Sequence, residues 1–492
     1  MKNVVVVGSG PAGLAAAEAI QDQGGGEIAV ELVTLGHHLG GKAASWRLED
    51  GRVVEHGQHV ALGFYRELAA LVERAGVSWH DSTVPSGGEY TMFEERDGGT
   101  HHLYAAGDLV RLALDWAAYT GFTEAEKAGI TAFVLRMVLD LGGPLPESLD
   151  DHCFTAWALS RGFPVSAAAA HLFQANREVQ MNWPGEISAY AMLRTLRAVS
   201  RAPAHLMSRY PRGGMSELWW EPVARRIEAL GGTVTRTWKL TAIEHADGAL
   251  RGLELTFPQP HGPGVRHHGS VPVLEGAILN RRGIDAAVLT LPPSSLVEVL
   301  DPELRALPGL SGIPRLKTVA PLAMQIWHRN RTHGRPGVIV AGLEPPLNFL
   351  MDNARNYPDY LEGRPGFGAA LHFAGQLTGF ERMDDEALLQ RTLASVRKVE
   401  GYEGMDREGV LDFVVLRHDA PHKRYWNSEP GSVRFKPQPR TPLRGLYLAG
   451  DWVRSELDFP CMESAVRSGR EAAALVLEDL LGGKAARRRR VA

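Results

Sequence analysis

The sequence predicts an α/β protein whose parallel sheet, with βαβ connections, is assembled from segments far apart in the chain. A mixed α+β lobe with a helical insertion stands beside this sheet. Three observations carry the prediction. A valine run at residues 4–7 leads into a glycine turn and an alanine-rich helix, helical periodicity dominates residues 105–200, and a strand, a turn and a long helix end the chain. Continuous β-branched runs are typical of parallel strands that are buried on both faces.

The glycine turn is the most specific motif. Gly8, Gly10 and Gly13 form G-x-G-x-x-G between the valine strand and a helix that begins at Pro11 and Ala12. In such turns the first glycine permits the tight turn, the second lets the backbone approach a pyrophosphate, and the third lets helix and strand pack closely. The N–H groups and positive dipole end of the helix attract phosphates. These five residues therefore predict a Rossmann-like dinucleotide site.

The residue at the position that usually binds the ribose differs from the common type. An acidic residue normally follows the glycine turn by about 20 residues and binds the ribose hydroxyls. Counted back from Gly40 and Gly41, this position is Thr34, and Glu31 lies earlier in the second predicted strand. Either Thr34 takes the place of the acid or a neighbouring group does.

A second glycine loop follows that strand. Gly40 and Gly41 precede Lys42, and paired glycines with a basic residue suit a loop that runs along a pyrophosphate. A plain NAD dehydrogenase has no need for such a loop.

The end of the chain supplies a third segment of the same site. Gly450 and Asp451 follow the strand in "GLYLAGDW", and a helix is predicted to begin at about Met462. An aspartate at a strand end accepts hydrogen bonds from hydroxyl groups of a cofactor. The N-terminus of the helix stabilises negative charge by up to about 2 kcal/mol in favourable geometry.

The order of these patterns predicts six segments. Residues 1–85, 213–300 and 425–482 are predicted to form the nucleotide-binding domain, 86–212 a helical lobe, 301–424 the sheet of a substrate domain, and 483–492 a basic tail. Near the middle of the chain, the stretches "GGTVTRTWKLTAIEH" and "RGLELTF" indicate a hairpin or meander.

Composition narrows the class of protein. The 492 residues are 44% hydrophobic and 22% charged, with a formal net charge of −4, which argues against a nucleic-acid partner. The two cysteines have neither disulfide, metal nor redox spacing, so no metal is expected. With no secretory signal and no apolar run of about 18 residues, a cytoplasmic location is expected. The basic tail leaves open a peripheral contact with the inner face of the membrane.

The chain resembles the FAD-dependent amine oxidase and carotenoid desaturase superfamily, and within it the plant-type phytoene and zeta-carotene desaturases. The resemblance covers nearly the whole chain. It rests on the three glycine segments and on the stretches "VVEHGQHVALGFY", "PRGGMSELWWEPVARRIEALGGTVTRTWKLTAIE", "DAAVLTLPP" and "PGSVRFKPQPRTPLRGLYLAGDW".

The resemblance implies a tightly bound FAD that lies between the nucleotide lobe and the substrate lobe. Lys42 and its glycines would flank the pyrophosphate, and Asp451 would hold the ribityl side. Leu240 corresponds to the strand residue that packs on adenine. Met462 and Glu463 would lie near the pyrimidine edge of the flavin through backbone groups.

The implied chemistry is hydride transfer from a substrate C–H to flavin N5, and desaturation also requires loss of a proton from the neighbouring carbon. The candidate bases are His59, Glu55 and His422, with His418 and Lys423 nearby. An isoprenoid or polyene substrate would need an apolar tunnel. Aromatic residues of the helical lobe are candidates for its lining, although helical spacing also suits a core: Phe154, Trp157, Phe163, Trp183 and Tyr190.

Four hypotheses about the function remain open. The first is desaturation of an isoprenoid or polyene, the second oxidation of a small amine or amino acid, and the third a squalene- or terpenoid-linked reaction, with or without net oxidation. The fourth is a flavin-binding scaffold, since fold alone does not decide function. The electron acceptor (quinone or O₂) and the oligomeric state are not predicted.

Overall fold

A computed structural model describes the chain except for residues 58, 86–88, 95–97, 105–108, 169–185, 202–207, 259–276, 335–337, 341–342, 348, 358–359, 362–365 and 483–492. The basic tail, Trp183 and most of the predicted helix in "AAAAHLFQA" therefore lie outside the described residues.

Strands in the described parts of the chain are, in order, β1 (Lys2–Val7), β2 (Ile28–Thr34), β3 (Ser45–Arg47), β4 (Val53–Glu55), β5 (Thr83–Pro85), β6 (Glu89–Glu94), β7 (Gly99–Tyr104), β8 (Arg209–Pro211), β9 (Thr233–Arg236), β10 (Lys239–Ala246), β11 (Ala249–Thr256), β12 (Ile278–Arg282), β13 (Ala286–Leu289), β14 (Thr318–Val319), β15 (Pro321–His328), β16 (Val338–Val340), β17 (Phe349–Asp352), β18 (Ala369–Gln376), β19 (Val410–Arg417), β20 (Tyr425–Trp426) and β21 (Leu446–Leu448).

The α-helices of the same residues are α1 (Pro11–Gly24), α2 (Arg66–Arg74), α3 (Leu109–Ala118), α4 (Glu124–Gly142), α5 (Phe154–Ser160), α6 (Val165–Ala168), α7 (Ala189–Ser200), α8 (Glu221–Ala229), α9 (Pro293–Val299), α10 (Pro302–Ala306), α11 (Asn353–Asn356), α12 (Asp385–Val396) and α13 (Met462–Leu481). None of them is both long and apolar enough to cross a bilayer.

A parallel sheet of order β21-β13-β1-β2-β9 forms the centre of the first lobe, so the predicted α/β fold is confirmed. Alternate valines of β1 point to opposite faces. Val4 and Val6 pack against α1, α2, α8 and α13, whereas Val5 and Val7 pack towards the antiparallel sheet β10-β11-β12. Both faces of β1 are therefore buried, as its uninterrupted valine run predicts.

Helices α1 and α13 lie unusually close together. A Cβ atom on Gly469 would stand 2.1 Å from the carbonyl oxygen of Ala12, so only glycine allows this approach. This contact places the beginning of α1 against the last helix of the chain, which joins segments more than 450 residues apart.

The second lobe contains a sheet of order β19-β15-β18-β17-β16-β6-β7. One face packs on α12, and the other faces the β3–β4 hairpin and the helical lobe. The segment 86–212 is not purely helical, because its first part contributes β6 and β7 to this sheet. Hydrophobic periodicity over the later helices did not reveal these two short strands.

Candidate FAD site and proton-handling cluster

The first glycine turn has no space for side chains at two of its three glycines. A Cβ atom on Gly13 would lie 1.8 Å from the Gly8 carbonyl oxygen, and one on Gly8 would lie 2.4 Å from Thr290 Oγ1. Gly8 also has a φ of 110°, which L side chains rarely adopt. Gly10 precedes α1 without a side-chain cap, and Pro11 occupies the first helical position. The turn therefore presents backbone N–H groups rather than side chains to an anion.

The second glycine loop lies directly against the first. Gly40 N–H donates to the Ser9 carbonyl at 2.8 Å, and a Cβ atom on Gly41 would approach Gly10 Cα to 3.1 Å. Gly40 and Gly41 have φ values of 114° and 58°, within the range that favours glycine. The two motifs, 30 residues apart in the sequence, thus form one backbone-lined cradle.

Thr34, at the ribose position, is buried and its hydroxyl lies 2.6 Å from the Ser9 hydroxyl. Glu31 is not available as a substitute acid, since its carboxylate accepts two hydrogen bonds from Arg281 at 2.6 and 2.8 Å and one from Thr235. The guanidinium and hydroxyl partners hold the pKa of Glu31 below its ordinary value despite burial, which raises it. Of the two residues considered, Thr34 is thus the one whose hydroxyl lies beside the glycine turn.

Lys42 and Asp451 approach each other across the cradle. Burial lowers the pKa of the Lys42 ammonium, and the negative charge of Asp451 opposes this effect. The ammonium lies 4.7 Å above the centre of the Tyr425 ring. Among the described residues, none donates a hydrogen bond to the Asp451 side chain, so its carboxylate keeps its full capacity to accept hydroxyl groups.

The beginning of α13 completes the cradle. Gly450 N–H donates to Ser468 Oγ at 3.0 Å, which ties the strand end to the last helix. The Glu463 carboxylate turns away and accepts the N–H groups of Glu67 and Leu68 at 3.1 and 3.0 Å, at the start of α2. The Glu463 side chain is thus engaged at α2, and contact of the backbone groups of Met462 and Glu463 with the cofactor stays a prediction.

Leu240 is buried in the same apolar cluster as Val5, Val7 and Val33, which lie on the strands beside the cradle. Its strand, β10, pairs with β11 and begins shortly after β9 leaves the parallel sheet. The tertiary fold therefore brings all the predicted cofactor segments to one edge of the parallel sheet.

A second group of predicted residues lies beyond the β3–β4 hairpin that follows Lys42. Glu55 ends β4 and is 4% exposed. Burial raises the pKa of its carboxyl to about 8, although the Met215 N–H donates to it. Oε1 of Glu55 has no hydrogen-bond partner within the described part of the chain. The carboxyl is therefore mainly protonated at pH 7, and it can donate one hydrogen bond as well as accept others.

Three histidines cluster beside Glu55. The His56 and His418 rings are edge to face at 4.9 Å, and the Nε2–H of His418 donates to the His56 carbonyl at 2.9 Å. His59 Nδ1–H donates to the Gly57 carbonyl at 2.7 Å. Since a carbonyl only accepts, this bond leaves Nε2 of neutral His59 with its lone pair available. Burial lowers the pKa of His59 and of His418 to about 4, so both rings are neutral at pH 7.

His422 and Lys423 contribute to the same cluster from the other lobe. Both disfavour the protonated form of His56, whose pKa is lowered mainly by burial and next by His418. The structure thus joins the predicted histidines of residues 55–59 with those of residues 418–422.

One pair near the site escaped the sequence analysis. Lys436 and Asp458 form a buried ion pair, and the Lys436 ammonium lies 4.3 Å above the centre of the Trp426 ring. A buried lysine leaves no periodic pattern in the sequence, and its burial is explained only by the partner that the fold places beside it. The pair anchors the loop between Asp451 and the start of α13.

Comparison with known proteins identifies the family. Residues 11–477 match the model of the flavin containing amine oxidoreductases. The protein belongs to this family. It is 24% identical over 97% of its length to 15-cis-phytoene desaturase of Glycine max, covering 80% of that protein. It is also 24% identical to zeta-carotene desaturase of Synechocystis sp., with 97% of both chains covered.

Solved structures show the same fold. A triple mutant of putrescine oxidase has a TM-score of 0.70 at 17% identity, covering 97% of this chain and 99% of that one. Cyclohexylamine oxidase of Brevibacterium oxydans has a TM-score of 0.66 at 16% identity, covering 98% and 99%. The flavin amine oxidoreductase assignment establishes an FAD-dependent oxidoreductase, as the motifs predict.

The cradle of this flavin amine oxidoreductase fits FAD. A Cβ atom on Gly8, Gly13 or Gly40 would clash with the protein itself, so these glycines let the two loops pack together, whereas Gly10 faces open space with only the Gly40 carbonyl oxygen at 4.0 Å. Asp451, which has no hydrogen-bond donor among the described residues, lies near Lys42. Paired glycine loops, a helix N-terminus and a free carboxylate match a pyrophosphate followed by a polyhydroxyl chain.

Of the two roles considered for the aromatic residues of the helical lobe, the four that the structure describes match core packing. Phe154, Trp157 and Phe163 are buried together in the core of that lobe, and Tyr190 is buried with its hydroxyl bonded by Arg194. Helical spacing of aromatic residues here reflects core packing.

Asp451→Ala should lower FAD occupancy while leaving the fold intact, because no hydrogen bond joins this carboxylate to another of the described residues. We expect a loss of about tenfold in FAD affinity, in line with the removal of a charge-assisted hydrogen bond. The flavin-to-protein absorbance ratio after dialysis measures it. Glu456→Ala, on the same loop with a largely exposed side chain, is the control. Full flavin in Asp451→Ala would show that this residue does not hold the cofactor.

Proposed function

We propose that this enzyme desaturates an apolar, isoprenoid-type chain. The observation that carries the proposal is the state of Tyr425 and Trp426, two adjacent aromatic residues on the β20 strand that precedes the Gly450 segment. Tyr425 and Trp426 each lie under an internal ammonium, from Lys42 and Lys436, at 4.7 and 4.3 Å. A cationic substrate would have to displace these lysines from the rings, since an ammonium binds an aromatic face by the same attraction. This arrangement favours an uncharged substrate over an amine.

Similarity over almost the entire chain to phytoene and zeta-carotene desaturases supports the same choice. Bound FAD would supply the acceptor for hydride. The chain's own residues then have two tasks, which are to orient the substrate C–H bond and to remove a proton from the adjacent carbon so that the double bond forms. Electrons leave to a quinone or to O₂.

We assign removal of the proton to His59. Its hydrogen bond to Gly57 holds Nε2 unprotonated, and burial keeps the ring neutral. A base with a pKa of about 4 is sufficient, because loss of hydride makes the neighbouring C–H bond strongly acidic. Neutral Glu55 and the His56–His418 pair surround His59. His422, which lies farther away, is the alternative base.

His59→Ala should slow reduction of the flavin by substrate about 100-fold while FAD stays bound, since a positioned base contributes at least this factor. Anaerobic single-turnover absorbance measures the rate. His80→Ala, which removes a largely exposed histidine, is the matched control and should have no effect. An unchanged rate in His59→Ala would exclude this residue from proton transfer.

We infer that a substrate of this kind enters from a membrane surface. Six large apolar side chains on α3, α4 and α6 are more than half exposed, as in helices that rest in a lipid interface: Val110, Leu114, Leu135, Val138, Leu139 and Val165. Cosedimentation with phospholipid vesicles tests this contact.

An anaerobic bleaching panel tests the proposed reaction. The FAD-loaded enzyme is mixed with phytoene, squalene-type alcohols, or a set of amines and amino acids, and the flavin absorbance is followed. Bleaching by isoprenoids alone supports desaturation. Bleaching by amines would overturn it, and a fully flavinated enzyme that nothing bleaches would favour a terpenoid-linked reaction without net oxidation.

A further inference from the structure

Two polar side chains lie side by side at the centre of the large sheet, on the face that looks towards the cofactor lobe. Gln325 of β15 and His372 of β18 are directly opposite each other in the ladder. They are 2% and 4% exposed, and Gln325 Nε2 lies 3.0 Å from Nδ1 and 2.6 Å from Nε2 of His372. Neither residue belongs to an apolar core cluster.

Their place on the face follows from the strand register. Val414 pairs with Gln325 on one side, and Met351 pairs with His372 on the other. Val414 packs with the cluster that contains Val54 of the β3–β4 hairpin, whereas Met351 packs in the core of the helical lobe. The polar pair therefore lies between the hairpin that leads to Glu55 and the helical lobe.

Most neighbours of the pair along its own strands are small. Successive side chains of a strand alternate between its faces, so the nearest neighbours on this face are two residues away. Those neighbours are Ala323 and Trp327 beside Gln325, and Ala370 and Ala374 beside His372. Both neighbours of His372 are therefore alanines, and only Trp327, beside Gln325, is large.

The pair retains unused hydrogen-bonding capacity. Gln325 Oε1 has no partner among the described residues. A neutral imidazole bears one N–H and the amide nitrogen of Gln325 only donates, so this nitrogen can pair with the bare ring nitrogen of His372 but not with the ring N–H. Burial lowers the pKa of His372 to about 3, so its ring is neutral. Buried polar groups are normally paired, so unpaired ones point to a partner that comes from outside these strands.

We infer that Gln325 and His372 bind an uncharged oxygen group, such as a hydroxyl, on an otherwise apolar substrate chain. The inference rests on the proposed function and narrows it, since a pure hydrocarbon cannot pair with either side chain. A hydroxyl both donates and accepts, and so it matches the free amide oxygen and the free ring N–H.

The test compares squalene with a monohydroxylated squalene on the FAD-loaded enzyme. Perturbation of the flavin spectrum gives the Kd of each. We expect the alcohol to bind at least about tenfold more tightly, because a site built to bond a hydroxyl rejects the analogue that lacks it. Gln325→Met should reduce this ratio to about one by weakening only the alcohol, and His372→Leu provides a second variant if the first does not fold.

Met324→Leu is the matched control, since Met324 lies on the same strand but packs on the opposite face. Equal affinity for the two probes in the wild type, no binding of either, or an unchanged ratio in a flavin-loaded Gln325→Met would overturn the inference. Failure of the proposed function is recognised separately, as bleaching of the flavin by amines instead of isoprenoids.

Discussion

We expect Gly13→Ala to yield a protein that retains no FAD and is about 3 kcal/mol less stable than the wild type. The added methyl group would stand 1.8 Å from the Gly8 carbonyl oxygen and 2.9 Å from Thr290 Oγ1. Since the closest atom is backbone, the turn cannot yield by rotating a side chain. Urea unfolding of the dialysed protein and its flavin-to-protein ratio measure the two effects.

Gly10→Ala separates the cofactor role of the turn from its packing role. Its Cβ atom would meet only the Gly40 carbonyl oxygen, at 4.0 Å, and the φ of Gly10 is −68°, which alanine adopts freely. This variant should therefore fold normally and lose FAD, because the methyl group occupies the space that the pyrophosphate needs. If Gly10→Ala bound FAD as the wild type does, the pyrophosphate would not lie on this turn.

Glu55→Gln should change the pH dependence of stability. Burial raises the pKa of the Glu55 carboxyl from its ordinary 4.5 to about 8. The folded protein therefore holds a proton that the unfolded chain releases, and the free energy of unfolding falls as the pH rises from about 4.5 to about 8. At about 1.4 kcal/mol per pKa unit, the loss reaches on the order of 5 kcal/mol.

The glutamine variant carries no titrating proton and should lack this loss. Its amide leaves one buried donor without a partner, at a cost of about 1–3 kcal/mol, so it should be less stable than the wild type at pH 5 and more stable at pH 9. Urea unfolding of the FAD-loaded proteins at both pH values measures this reversal in the order of their stabilities. Glu49→Gln, on the exposed turn of the same hairpin, should leave the profile unchanged. If the free energies of unfolding of Glu55→Gln and the wild type changed with pH in parallel, the raised pKa would be contradicted.

Local patterns were enough to predict the elements of the cofactor lobe. The valine run, the glycine turns and the alanine-rich helix each have a local cause, namely burial on both faces, backbone freedom and close helix packing. Hence β1, α1 and the start of α13 at Met462 agree with the sequence analysis. The short strands β6 and β7 have no such signature, since what makes them strands is their pairing in a sheet whose other strands are β15 to β19.

Local sequence patterns sufficed to predict the nucleotide-binding sheet, the FAD chemistry and a role for histidines near residues 56, 59 and 418. The charge of those groups followed from the fold, because burial and partners from distant segments set it. The fold made Glu55 a neutral acid, bonded Glu31 to Arg281, and covered Tyr425 and Trp426 with lysines. It also placed Gln325 beside His372, a contact across 47 residues that no local pattern encodes.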